Sequence, residues 1–84
     1  MKKIDMHGHL GYWPFALPNC GTVESLLHLC ERYDIERLVA SSSLALNYDM
    51  VAGNAEMAAA ADEHEQLLMY VYVNPNFLAQ SCTE

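Results

Sequence analysis

The stretch Leu67–Val73, LLMYVYV, places the strongest limit on the fold of this chain. It is β-branched and aromatic, and it stops at Asn74 and Pro75, where a proline cannot donate to a sheet ladder. Successive side chains of a strand point to opposite faces, and here both sets are apolar. Such a strand needs cover on two sides, which points to a parallel sheet rather than one with a solvated face.

The rest of the chain supplies the elements that such a sheet requires. Lys2–His9 reads as a first strand, and Arg37–Ser42, centred on Leu38, Val39 and Ala40, as a second. Between them a helix is expected from Thr22 to Tyr33, with Thr22 as N-cap and Glu24 at the positive end of the dipole. Val23, Leu26, Leu27, Cys30 and Tyr33 recur at helical spacing and predict one buried stripe. A second helix is expected from Tyr48 or Asp49 to about His64, with Val51, Ala55, Ala58 and Ala59 on its apolar face and Met50, Met57 and Ala61 at the edges. Gly53 weakens that helix by ~1 kcal/mol relative to alanine. Asn76–Glu84 reads as a loop leading towards a third helix that does not arrive. The order is βαβαβ with connections of crossover length, so the fold class is α/β with parallel strands and right-handed crossovers. Parallel strands bring their C-terminal ends to one edge, and the loops starting at His9, Ser41 and Asn74 meet there.

At that edge stands the run Asp5, Met6, His7, Gly8, His9. Strict alternation puts Asp5, His7 and His9 on one side of the strand. Neutral imidazole is a good ligand for zinc and other divalent ions, so His7 and His9 supply half of a roughly four-ligand shell. Asp5 lies one step further from the edge and reads as a group that orients a ligand or a neighbouring strand. The loop Leu10–Gly21 follows, rich in Gly and Pro, and carries Tyr12, Trp13 and Phe15. These aromatic residues either shape the mouth of a pocket beside the histidines or pin the loop to the body of the domain. Ser41, Ser42 and Ser43 at the end of the second strand are candidates for substrate contact, although turn and cap residues are the simpler reading. His28 falls off its helix stripe and reads as solvated, and His64 as a surface residue in an acidic cluster.

Composition excludes several partners. With 84 residues the chain is one small domain, and four Lys and Arg against eleven Asp and Glu give a net charge of -7. A phosphate backbone needs a basic footprint, so nucleic acid is not expected. No stretch approaches the roughly 20 apolar residues of a membrane span. Cys20, Cys30 and Cys82 are odd in number and contain no C-x-x-C pair, which reads as reduced thiols in a cytoplasmic protein.

The segments IDMHGHLG, YDIERLVASSS, GNAEMAAAADEHE and LLMYVYVNPNF resemble the N-terminal part of the amidohydrolase superfamily. The similarity is greatest to the amidohydrolase-related branch that includes aminocarboxymuconate-semialdehyde decarboxylase-like enzymes. The resemblance implies that residues 1–84 correspond to the first three strands of a (β/α)8 TIM barrel, an incomplete portion of that domain. It implies that His7 and His9 are two ligands of a catalytic divalent metal, most often zinc, and that the function is metal-dependent hydrolysis of a small molecule, with Trp13 and Phe15 near the pocket. The family's further histidines and its aspartate belong to later strands, so the segment alone is expected to be inactive. Its uncovered strand edges are expected to favour self-association. Three alternatives stand beside it: decarboxylation within the same branch, a TatD-like or PHP-like metal phosphoesterase, and a non-catalytic βαβαβ domain.

Overall fold

A computed structural model describes residues 2–11 and 21–84 of the chain. Three strands form a parallel sheet: β1 (Lys3–Leu10), β2 (Ile35–Ser42) and β3 (Leu67–Met69), in the order β1-β2-β3. Helix α1 (Val23–Arg32) connects the first pair. Helices α2 (Ser43–Asn47) and α3 (Met50–Glu63) connect the second. This is the parallel α/β arrangement expected from the pattern of apolar runs.

Local chemistry accounts for the helix boundaries. The Thr22 hydroxyl accepts from the Ser25 N–H at 3.1 Å, and Asp49 Oδ1 accepts from the Ala52 N–H at 3.0 Å, each satisfying an orphan donor of a first turn. Ser42 caps α2 in the same way, its Oγ accepting from the Ala45 N–H at 3.2 Å. The short helix α2 lies where a plain connection was expected. It forms because Ser42 supplies a cap directly at the end of a strand.

One core cluster joins α1, α3 and the sheet: Leu10, Leu26, Cys30, Leu38, Ala40, Met57, Ala60 and Leu67. Both longer helices therefore cover the same face of the sheet. On α1 the expected stripe holds for Leu26 and Cys30, with Val23 and Leu27 packed against the cluster, but Tyr33 at its end is exposed. The face of α3 differs from expectation. Met50, Gly53, Asn54, Met57 and Ala60 turn inward, whereas Val51, Ala55, Ala58 and Ala59 are exposed.

The last strand is shorter than LLMYVYV. Only Leu67–Met69 pairs with β2, and the Tyr70 N–H adds one more bond to the Ala40 carbonyl at 2.8 Å. Beyond it the side chain of Asn54 takes the place of a strand partner, accepting from the Tyr72 N–H at 3.0 Å and donating to the Tyr72 carbonyl at 2.7 Å. The chain then makes a 3-10 turn (Pro75–Phe77) and a short helix α4 (Leu78–Thr83), so the expected terminal loop is partly helical. Among the described residues no helix is long and apolar enough to cross a membrane.

Candidate metal centre

The two histidines meet. Nε2 of His7 lies 3.0 Å from Nε2 of His9, with the rings edge to face and their centroids 4.9 Å apart. At this distance one ring can donate to the other, and the tautomers of the two rings set which is donor and which is acceptor. Two nitrogens bound to one tetrahedral zinc at ~2.0–2.1 Å stand about 3.3 Å apart. The observed pair needs only a small ring adjustment to reach that spacing, and the donor set suits the ion.

The sheet explains how the pair is held. His9 is paired in register with Ser41 and Gly8 with Ala40 across the β1–β2 ladder. Ala40 belongs to the core on the helix side, so His9 and Ser41 project from the opposite face, near the C-terminal edge of the sheet. There the Ser41 Oγ lies 3.4 Å from His9 Nδ1. Ser42 and Ser43 are fully buried, the first capping α2 and the second with its Oγ unpartnered among the described residues. Of three adjacent serines, the one that meets a histidine could have been found by counting the alternation of β2 against that of β1.

Asp5 does not follow the histidines. Between Asp5 and Gly8 the register shifts, so that three steps along β1 match two along β2, from Leu38 to Ala40. An extra residue in one strand reverses the alternation. Asp5 thus pairs with Leu38, whose side chain lies in the core on the helix side. Its Oδ1 accepts from the backbone N–H of His7 at 3.0 Å. Burial, together with the nearby Asp5 charge, pushes the Cys30 thiol pKa up, which agrees with a carboxylate on the helix side. Asp5 fixes the backbone of His7 instead of its ring.

Burial lowers the pKa of His9, and the charge of His7 lowers it further. The folded chain therefore holds this proton less tightly than the unfolded chain does. Below an unfolded value of about 6.5 the unfolded state binds more protons, so stability falls with falling pH in that window and is unaffected above it. Unfolding free energies of the wild type and His9→Asn should run parallel above about pH 7 and diverge on acidification, the wild type losing more. Parallel curves throughout would contradict this linkage.

The other sequence candidates fall elsewhere. Trp13 and Phe15 lie outside the described residues. His28 and His64 line a cleft of about 1050 Å³ at the opposite, N-terminal edge of the sheet, together with Glu24, Glu31 and Asp34. His28 is exposed and His64 half-buried. Among the described residues no three His, Cys, Asp or Glu side chains converge as a metal-ligand group, and the close pair there is His7 and His9 alone. No family model matches the chain, and no curated protein or solved structure shows significant similarity to it.

Proposed function

We propose that this chain is the metal-holding start of a metal-dependent hydrolase of the amidohydrolase type, its parallel sheet being the first three strands of a (β/α)8 barrel. The observation that carries the reading is the 3.0 Å approach of the two Nε2 atoms at the C-terminal edge of a parallel sheet. In α/β folds with parallel strands, that edge is where catalytic groups gather. The lowered pKa of His9 favours the neutral imidazole that a metal requires.

In this reading His7 and His9 hold a divalent ion, zinc before others. When bound, the ion would polarise an oxygen of a small-molecule substrate, or bring the pKa of a bound water towards ~7. The chain's own residues supply the frame. Asp5 fixes the backbone of one ligand, Ser41 meets the ring of the other, and the sheet holds both on the face that the helices leave open. Further strands of the barrel would cover the exposed Ile4, Met6, Leu68 and Tyr70 and would bring the remaining ligands.

Calorimetric titration with zinc at neutral pH tests the reading on the wild type and on a His7→Ala/His9→Ala double variant. Roughly micromolar binding, weakened about tenfold or more in the variant, is the expected result. Equal binding by both, or none by the wild type, would overturn it.

A further inference from the structure

The two histidines are not equivalent. His9 has a hydroxyl at its second ring nitrogen, Ser41 Oγ at 3.4 Å from Nδ1, while for His7 no contact to Nδ1 stands among the described residues. His7 is exposed and is tied through its backbone N–H, whereas His9 is half-buried and met at its ring. A metal can take only a nitrogen without a proton, so a neutral histidine binding through Nε2 must carry its proton on Nδ1. The group facing that proton decides whether the arrangement is stable, because the partner of one ring nitrogen sets the role of the other.

We infer that Ser41 is a positioning residue for His9: its Oγ accepts the Nδ1 proton and so leaves the Nε2 lone pair aimed at the point the two imidazoles share. The inference rests on the metal reading above and adds a ranking to it. His9 is the preset ligand, and His7 is the one that adjusts.

Three features of the fold support this role for Ser41 over its neighbours. Its place opposite His9 is set by the register of two paired strands rather than by a loop. Ser42 is already engaged by the Ala45 N–H, and Ser43 is buried where α2 begins. The proton between the two Nε2 atoms is also assigned by this arrangement. With the His9 proton on Nδ1, His7 is the donor in the 3.0 Å contact, and moving that one proton from His7 Nε2 to its own Nδ1 leaves both Nε2 atoms unprotonated.

The test has two arms on the same 84-residue chain, with Ser41→Ala and the conservative Ser41→Thr. Long-range proton–nitrogen spectra of the metal-free protein, above the titration range of histidine, read which nitrogen of each ring carries the proton. The His9 proton is expected on Nδ1 in the wild type, displaced towards Nε2 in Ser41→Ala, and restored in Ser41→Thr. Zinc titration of the same three proteins is expected to show affinity about tenfold weaker in Ser41→Ala and recovered in Ser41→Thr. A His9 proton on Nε2 in the wild type, or on Nδ1 regardless of residue 41, would overturn the inference. So would a zinc affinity that Ser41→Ala leaves unchanged. A tautomer that follows residue 41 in a chain that binds no zinc would uphold the Ser41 contact and remove the metal reading instead.

Discussion

Replacing Gly53 with alanine is expected to destabilise the chain by about 2–3 kcal/mol, although alanine is the better helix former. In an isolated helix the substitution would stabilise by ~1 kcal/mol. Here α3 crosses α2 so closely that a Cβ at residue 53 would collide with the backbone N and Cα of Ala45, and with its Cβ. Backbone cannot rotate away as the tip of a long side chain can, so the helices must separate. Such separation opens the contact between Ala45 and α3, and α2 begins at Ser43, directly after the end of β2. The displacement is thereby passed to the strand end that carries Ser41. Urea unfolding followed by circular dichroism measures the loss, and the histidine spectra described above should report a disturbed His9 ring in the same variant. A neutral or stabilised Gly53→Ala would show that the two helices can move apart freely.

The same position shows what the sequence concealed. Gly53 reads as a weak point in an alanine-rich helix, and its purpose becomes visible only with α2 lying across it. Alanine is nearly indifferent to burial, so Ala55, Ala58 and Ala59 carried little information about which face turns inward. The buried face instead includes a glycine and an asparagine, types that a hydrophobic stripe passes over. The parallel order of the strands was legible, because apolar runs separated by capped helices have few other solutions. The convergence of His7 and His9 was legible for the same reason, through two-residue alternation. The side taken by Asp5 was not, since a single extra residue in β1 reverses it and leaves no mark in the residue types. The length of β3 was overestimated for a different reason. Tyr70, Val71 and Val73 are apolar but remain about half exposed, having no cover among the described residues.

Asn54→Asp, although isosteric, should cost about 3 kcal/mol or more near neutral pH. Asn54 is 4 % exposed and uses both ends of its amide. Its Oδ1 accepts from the Tyr72 N–H, and its Nδ2 donates to the Tyr72 carbonyl at 2.7 Å and to Glu84 Oε1 at 3.0 Å. An aspartate keeps the acceptor and loses both donated bonds, leaving a carboxylate against a carbonyl oxygen and a second carboxylate. Burial and the Glu84 charge both favour the protonated form of the introduced group, so its folded pKa must lie above its unfolded value of about 4. The folded state then binds more protons in that window, and the variant recovers part of its stability as pH falls towards about 4, where a protonated carboxyl can donate again. Asn54→Ala lacks a titrating group and should lose a comparable amount without that recovery. Unfolding curves of the two variants near pH 7 and pH 4.5, each referenced to the wild type, separate the cases; an Asn54→Asp penalty that does not shrink on acidification would refute the donor role. The consequence extends to the candidate site, because Tyr72 leads into Asn74, whose backbone N–H and carbonyl are both bound by Ser81 Oγ, at 3.1 and 2.7 Å. Asn54 therefore anchors the third loop of the edge on which His7 and His9 stand, and loosening it should disorder that edge before it disturbs the β1–β2 pair.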